Sequence, residues 1–353
     1  MHRRTGLIAS IWFLVTILFV SGLVFSVGPK EGKVASKEPA QVMIKLYVYG
    51  TGLLELDLEE YLVGVVAAEL PASFGIEAHK AQAVAARTYV VKRLEKIRKN
   101  GSPYPEGADI TNLPQEGQAW ISEAERLERW QSSYSYNQKK IQEAVLATKS
   151  QVLTYNGQLI EALYCSTAGP HTEDAQEVFR IQLPYLKAQP NPFDSHSPRY
   201  KDAKTFSIAE LGKSLGVKLK EKELLMALRS PQGPEVIPVA SLLDPWLNPD
   251  KGANSLKIIA RNRSGRVSQV AVGGRIFSGT EIRSKLGLRS TNFTYQISSD
   301  GKKITFYTTG YGHGVGMSQY GADGMANKGY NYKEILAFYY PGTNLVSLGL
   351  RRE

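Results

Sequence analysis

The chain has 353 residues, 42% of them apolar and 22% charged, so it can bury a real core and is neither intrinsically disordered nor collagen-like. Its 43 basic and 33 acidic residues give a net charge of +10, which predicts an acidic partner: nucleic acid, anionic lipid or an anionic polymer such as cell wall. The single cysteine, Cys165, excludes an intramolecular disulfide and, beside five scattered histidines, disfavours a structural zinc site.

The N-terminus carries an uncharged, mostly apolar run from Leu7 to Val27. About 20 apolar residues span a bilayer core, whereas the apolar core of a cleaved signal peptide usually has about 7–15. We therefore predict an uncleaved single-pass anchor at 7–27, after a cytoplasmic head at 1–6 and before a polar linker at 28–41. The body is then expected outside the cytoplasm, on the cell membrane, which argues against nucleic acid and for wall polymer or lipid.

Hydrophobic periodicity and turn residues predict the elements of the body in chain order. They are a hairpin at 42–56, a helix from Asp57 to about Leu70, a helix at 76–99, irregular chain at 100–138, a helix at 140–149, a hairpin at 152–166, an irregular connection at 189–204, a helix after Ser207, an irregular stretch at 231–254, a strand pair at 256–272, a helix after Ser278, and a hairpin at Asp300-Gly301 leading to a helix near 317–327. This order lacks a βαβ rhythm, so we predict an α+β domain over 42–345 with a tail at 346–353.

Local signals set several of these boundaries. Pro71 disfavours helical backbone in the residue before it, and Ser73 is the predicted cap of the helix at 76–99. The Asn-Gly pair at 156–157 is a strong hairpin signal. Capping boxes are predicted at three helix starts: Asp57 with Glu60, Ser207 with Glu210, and Ser278 with Glu281.

Glu69 is the first candidate for chemistry. It follows the apolar helix residues 65–68 and precedes a chain break at Pro71, and an apolar setting raises a carboxyl pKa as a general acid needs. Lys80 and Arg87 lie about two helical turns apart on one face of the next helix, where they are candidates to bind an anionic or carbonyl-rich substrate. Spacing alone leaves an alternative open, in which Glu69 is an ordinary acid at a helix end and Lys80 and Arg87 are solvated surface cations.

Two further segments are rich in candidate residues. The run GYGHGVGMSQYG at 310–321 has glycines at alternate positions, which let the backbone approach something bulky or expose amides at a helix start. The alternative is a tight bend between a strand and a helix, and no Gly-Lys-Ser/Thr follows to make it a phosphate loop. Residues 166–172 place hydroxyls and a histidine after a hairpin strand, but without Gly-x-Ser-x-Gly they are a weak nucleophile site.

Together these segments resemble the stage II sporulation protein D family. The similarity is carried by EEYLVGVVAAELP at 59–71, KAQAVAARTY at 80–89, STAG at 166–169 and HGVGMSQYGA at 313–322, within about residues 42–345. The resemblance implies a family-specific α+β fold in which helices and β-hairpins form a substrate cleft. It also implies lytic transglycosylase activity on peptidoglycan glycan strands during forespore engulfment.

The resemblance also implies roles for single residues. Glu69 corresponds to the catalytic acid, and the other positions of the motifs are the predicted substrate-binding residues: Lys80, Arg87, Ser166, His171, His313, Ser318 and Gln319. The chain departs from the family pattern at 170–171. Some relatives hold zinc through a His-Cys pair where this chain has Glu116-Gly117, so we expect no metal and no cofactor.

The implied reaction is non-hydrolytic. Protonated Glu69 gives its proton to the oxygen between N-acetylmuramic acid and N-acetylglucosamine, then takes the proton of the muramoyl 6-hydroxyl, which leaves a 1,6-anhydro end. One acid serves twice, whereas a hydrolase normally needs two carboxyls. Lys80 and Arg87 are expected to hold the lactyl carboxylate of denuded strands.

Two alternatives remain open at this point. One is a hydrolase that uses water as the acceptor, and the other is a non-catalytic wall-binding scaffold that recruits or activates a peptidoglycan amidase. The expected partners are glycan strands, such an amidase, other engulfment proteins and the membrane, with no nucleic acid.

Overall fold

The computed structural model describes residues 42–219 and 256–348. The strands there are β1 (Met43–Val48), β2 (Gly52–Asp57), β3 (Ile110–Thr111), β4 (Gln151–Tyr155), β5 (Gln158–Leu159), β6 (Tyr164–Cys165), β7 (Lys201–Ser207), β8 (Leu256–Arg261), β9 (Val267–Val272), β10 (Arg275–Ser278), β11 (Phe293–Ile297), β12 (Lys303–Thr309), β13 (Met317–Ser318) and β14 (Asn344–Ser347). The α-helices there are α1 (Leu58–Glu69), α2 (Ile76–Asn100), α3 (Glu123–Trp130), α4 (Tyr134–Ala147), α5 (Ala175–Phe179), α6 (Ile208–Leu215), α7 (Gly279–Leu286), α8 (Gln319–Ala326) and α9 (Tyr332–Tyr339). The predicted α+β class is confirmed.

The strands form several small sheets instead of one large one. β1 lies between β2 and β3, β4 between β14 and β5, β12 between β11 and β7, and β9 between β10 and β8. β6 and β13 form a separate parallel pair, in which Tyr164 lies opposite Met317 and Cys165 opposite Ser318. This last pair brings the middle of the chain beside its C-terminal motif.

Helix α1 begins and ends where the sequence predicts. The Asp57 side chain accepts a hydrogen bond of 2.8 Å from the Glu59 amide, and the helix ends at Glu69 because Leu70 turns extended before Pro71. The predicted capping box of Asp57 with Glu60 is wrong in the described structure. Asp57 caps the amide of Glu59, the second residue of the helix, and not that of Glu60, the third.

Helix α2 has the predicted range but not the predicted cap. Gly75 stands at the capping position, and its amide donates a 2.8 Å hydrogen bond to Oδ1 of Asp323, which lies on α8. Ser73 belongs to the preceding turn, where the Phe74 amide bonds to the Pro71 carbonyl. A residue distant in sequence therefore satisfies the helix start that a local serine was predicted to satisfy.

The region predicted as irregular, 100–138, contains the helix α3. Ser122 and Glu125 form its capping box, with bonds of 2.7 Å from the Ser122 amide and 3.2 Å from the Glu125 amide. Helix α4 also begins earlier than expected, at Tyr134. The apolar pattern missed α3 because its residues are mostly charged and its buried side chain is that of Arg126, which donates 2.9 Å to the Ile121 carbonyl.

The hairpin at 156–157 is confirmed, but its second strand is shorter than predicted. Tyr155 pairs with Gln158, and both turn residues have a positive φ, as this tight turn requires. The chain leaves the sheet after β5 and reaches β6 separately. The prediction of one strand through residue 166 is therefore wrong, because the 164–165 segment pairs with β13 instead.

The C-terminal half follows its local signals closely. The capping boxes of α6 and α7, the strand pair β8–β9 and the hairpin β11–β12 are all confirmed. The connection predicted at 189–204 ends earlier, because β7 begins at Lys201 and pairs with β12. The irregular stretch predicted at 231–254 lies outside the described residues.

Among residues 42–219 and 256–348, buried apolar side chains form three clusters, and α2 takes part in two of them. Ala81 and Val84 face the cluster that includes α8 and α9, whereas Ala83 and Val90 face the cluster built on β1 and α1. Small alanine side chains let a helix pack closely on opposite sides. The third cluster lies between two sheets, β10–β9–β8 and β11–β12–β7, and the helices α6 and α7.

Within residues 42–219 and 256–348, no helix combines the length and apolarity that crossing a membrane requires. The head at 1–6, the anchor at 7–27 and the linker at 28–41 are predictions for residues outside the described part of the chain. Residues 349–353 of the predicted tail also lie outside it.

Candidate active site

Glu69 lies at the C-terminal end of α1, partly buried, with both carboxylate oxygens hydrogen-bonded. Oε1 accepts from the Ala119 amide at 3.0 Å, and Oε2 accepts from Nε2 of Gln319, also at 3.0 Å. The first donor comes from the loop before α3 and the second from the first residue of α8. Three distant parts of the chain therefore converge on one carboxyl group.

Burial raises the pKa of the Glu69 carboxyl above its ordinary value of 4.5. Hydrogen bonds from Gln319, Ala119 and Tyr164 act in the opposite direction, because they stabilise the ionised form, but burial has the larger effect. The raised pKa predicted from the apolar setting is confirmed. Such a carboxyl is suited to hold a proton and then to release it.

Tyr164 is the third group beside Glu69. Its hydroxyl accepts a 2.9 Å hydrogen bond from the side-chain Nε2 of Gln118. The side-chain Oε1 of Gln118 in turn accepts a hydrogen bond of 3.2 Å from the Tyr61 hydroxyl. Burial, followed by the Glu69 charge, raises the pKa of Tyr164 well above 10.0, so its hydroxyl stays protonated. The row Tyr61, Gln118, Tyr164 thus ends in a neutral hydroxyl that is close enough to Glu69 to lower the pKa of its carboxyl.

Gln319 is positioned by the glycine-rich loop that precedes α8. Gly310, Gly312, Gly314 and Gly316 all have positive φ. A β-carbon on Gly316 would collide with the Leu163 carbonyl, and one on Gly310 would collide with the Thr167 carbonyl. The glycines therefore permit a tight bend against neighbouring backbone, which is the structural alternative left open by the sequence.

Ser318 is fully buried and caps α8. Its hydroxyl donates 2.8 Å to Oδ2 of Asp194 and accepts from the Gly321 amide at 3.2 Å. The same Asp194 oxygen accepts from the amides of Ala168 at 2.7 Å and Gly169 at 3.1 Å. The structure thus gives Ser318 a positioning role beside Gln319, and its hydroxyl does not face solvent.

The structure does not bring Lys80 and Arg87 to Glu69. Lys80 pairs with Glu77 at 2.6 Å and lies 5.9 Å from the centre of the Tyr332 ring. Arg87 is fully buried, where its guanidinium binds the Glu59 carboxylate with bonds of 2.5 and 3.0 Å.

Arg87 also donates to the backbone carbonyl oxygens of Val145 and Gln151 at 3.2 Å each, so four of its five N–H groups bond to the protein. The structure does not support the predicted substrate contact at Arg87, because its side chain is fully buried and bonds mainly to protein acceptors. Lys80 and Arg87 do lie on one face of α2, as predicted, but their side chains contact other parts of the protein.

The remaining predicted residues surround the site at different depths. His313 accepts a hydrogen bond of 3.0 Å from the Val315 amide, contacts Phe179, and has its pKa lowered to about 4, mainly by burial. Ser166 is partly buried, and its carbonyl accepts from the Tyr320 amide at 3.1 Å. His171 forms a bridge with Pro190, and its ring has no hydrogen bond to another described residue.

The sequence did not single out Gln118, Ala119 or Tyr164 as site residues. Gln118 and Ala119 follow the Glu116-Gly117 pair, and the Glu116 carboxylate accepts from Thr111 Oγ1 at 2.8 Å. In the described ranges no three His, Cys, Asp or Glu side chains converge as metal ligands. The available signal was the position of Gln118-Ala119-Trp120 directly after Glu116-Gly117, where some relatives hold zinc.

Comparison with known proteins gives consistent matches. A family model described as stage II sporulation protein matches residues 51–155. The chain is 38% identical over 290 residues to stage II sporulation protein D of Bacillus subtilis (strain 168), covering 82% of this chain and 74% of that protein. It is 34% identical over 319 residues to stage II sporulation protein D of Bacillus amyloliquefaciens, covering 90% and 83%. It is also 32% identical to the amidase enhancer of Bacillus subtilis (strain 168), over 81% of this chain but 40% of that protein.

Proposed function

Because this chain belongs to the stage II sporulation protein D family, we propose that it is a peptidoglycan lytic transglycosylase acting in forespore engulfment. The proposed substrate is the bond between N-acetylmuramic acid and N-acetylglucosamine in denuded glycan strands. The observation that carries the proposal is Glu69, a partly buried carboxyl with a raised pKa, held by one donor from the loop before α3 and one from the first residue of α8.

In the first step Glu69 acts as a general acid. It transfers its proton to the glycosidic oxygen as the bond from that oxygen to the muramoyl anomeric carbon breaks. The Ala119 amide and the Gln319 side chain then stabilise the carboxylate that forms, because charge-assisted hydrogen bonds are stronger than neutral ones. Burial favours the protonated form at the start, and these donors limit the cost of losing the proton.

In the second step the same carboxylate acts as a base. It takes the proton of the muramoyl 6-hydroxyl while that oxygen bonds to the anomeric carbon, so the product is a 1,6-anhydro sugar and no water is consumed. The influences on the Glu69 pKa in the described structure come from burial and from uncharged donors, with no second carboxylate among them. This supports a one-acid reaction over a hydrolase with two carboxyls.

The test is digestion of denuded glycan with the wild type and with Glu69→Gln, followed by mass spectrometry of the ends. We expect anhydro ends from the wild type and at least a hundredfold slower cleavage by Glu69→Gln, since general acid catalysis contributes about 10²–10⁴-fold. Glu60→Gln is the matched control, because Glu60 is an exposed acid on the same helix. Reducing ends from the wild type would instead identify a hydrolase.

A second candidate function is a non-catalytic scaffold that activates a peptidoglycan amidase. It is favoured by the similarity to a protein named amidase enhancer. The discriminating measurement is amidase activity on cell wall with added wild type or Glu69→Gln. Stimulation by both proteins, with no glycan cleavage by either, would support the scaffold.

The proposal also includes a location. We place the body outside the cytoplasm, held at the cell membrane by an anchor at 7–27, because peptidoglycan lies on that side. Protease digestion of intact and permeabilised protoplasts would test this, since an extracytoplasmic body is cleaved in both.

A further inference from the structure

A cavity of about 420 Å³ opens beside the C-terminal half of α2, on the surface of the protein. Its lining is formed by one segment of that helix and by one residue of the chain after β5: Tyr89, Lys92, Arg93, Glu95, Lys96, Lys99, Asn100 and Glu161. The four basic residues outnumber the two acidic ones. The cavity is therefore suited to a negatively charged group.

The inner wall of the cavity is fixed by bonds within the protein. Lys92 pairs with Glu161 at 3.0 Å and also donates 3.0 Å to the Leu159 carbonyl. Arg93 donates 2.7 Å to the Tyr89 hydroxyl and 3.0 Å to the Glu116 carbonyl. These two cations hold the wall in place, and part of their charge is already balanced.

Lys96 and Lys99 have a different role, because both are exposed at the rim. They lie three residues apart on α2, so their side chains project from neighbouring positions of the helix. Their ammonium groups can therefore close on an anion that enters the cavity, while the tyrosine of the wall offers an aromatic surface.

The cavity is also connected to Glu69 by short segments of chain. Glu161 precedes Tyr164 by three residues, a separation of at most about 11 Å between their Cα atoms. Arg93 bonds to the Glu116 carbonyl, in the same loop whose Ala119 amide donates to Glu69. The wall of the cavity is therefore held by segments of chain that also hold the residues beside Glu69.

We propose that this cavity is a subsite for a carboxylate of the glycan strand, bound by Lys96 and Lys99. This inference rests on the proposed glycan substrate and names the feature of it that is recognised. It also transfers the anion-binding role from Arg87, which is fully buried, to cations that solvent can reach. A neutral glycan of the same length lacks this contact.

The experiment measures equilibrium binding of fluorescent denuded glycan at low salt, in a Glu69→Gln background so that cleavage does not intervene. We compare Lys96→Gln/Lys99→Gln with Lys213→Gln/Lys285→Gln, which removes the same charge from exposed sites on α6 and α7. The first pair is expected to weaken binding about fivefold and the control pair less than about 1.5-fold. Glycan whose carboxylates have been converted to methylamides should bind the two double variants with equal affinity.

An equal loss with the methylamide glycan would overturn the inference, and so would the absence of any loss with the carboxylate glycan. Competition by poly(glycerol phosphate) as strong as competition by the carboxylate glycan would also overturn it, in favour of a phosphate polymer. Failure of the proposed function looks different, because the wild type would then leave glycan uncleaved while Lys96 and Lys99 still determined binding.

Discussion

At the scale of single residues, the acidity of Glu69 results from two opposing effects. Burial raises its pKa, and among the hydrogen bonds that lower it the one from Gln319 is the largest. A general acid works best when its pKa is near the working pH, so both effects are needed. Gln319 is therefore expected to tune the acid even though its own side chain carries no charge.

We predict that Gln319→Met moves the pH profile of glycan cleavage upward. Loss of the 3.0 Å bond to Oε2 destabilises the carboxylate and raises the Glu69 pKa further, so the acid stays protonated to higher pH. The alkaline limb of kcat/KM should shift by about one pH unit toward higher pH. Gln158→Met, an exposed glutamine in the hairpin at 156–157, should leave the limb unchanged. A limb that moves to lower pH would contradict this role.

Single residues also show what sequence reasoning can reach. Glu69 was predictable because its apolar helix and the break at Pro71 are local features. Ala119 and Gln319 are separated from it by 50 and 250 residues, and no local pattern marks an amide that will reach so distant a carboxyl. The spacing of Lys80 and Arg87 gave their common helix face but not the Glu59 carboxylate that occupies it.

At the scale of elements, the β6–β13 pair decides whether the site is assembled. It places Tyr164 and the start of α8 side by side, and Gly316 directly precedes it. A β-carbon at Gly316 would meet the Leu163 carbonyl, a backbone atom that cannot rotate away. The hairpin turns and two of the three predicted capping boxes followed from a few adjacent residues, whereas this parallel pair joins segments with no signal for each other.

We predict that Gly316→Ala separates these two strands and abolishes glycan cleavage. Gly329→Ala is the matched control, since Gly329 also has a positive φ but has open space around its Cα. The control should lose about 1–2 kcal/mol of unfolding free energy from backbone conformation alone and keep its activity. Urea unfolding and a glycan digest measure both quantities, and equal behaviour of the two variants would show that the close contact is unimportant.

At the scale of the whole molecule, a buried arginine connects the third apolar cluster with the site. Arg266 follows the β8–β9 turn, is 1% exposed, and donates 2.6 Å to the Ala168 carbonyl and 2.8 Å to the Ser290 hydroxyl. Its Nε lies 3.7 Å from the Glu173 carboxylate, which is also buried. The Ala168 amide bonds to Asp194, so the contact continues toward the cap of α8.

We predict that Arg266→Met destabilises the protein by about 3–5 kcal/mol, because removing one member of a buried ion pair leaves the other charge uncompensated. Glu173→Gln in the same chain should recover part of this loss, so the double variant costs less than the sum of the two single ones. Arg275→Met, at an exposed arginine of β10, should change the unfolding free energy by less than about 0.5 kcal/mol. Urea unfolding of the wild type, the two single variants and the double variant gives the coupling energy. Additive losses would mean that Arg266 holds the Ala168 loop through its neutral hydrogen bonds alone, and that the charge of Glu173 has no part in joining the third cluster to the site.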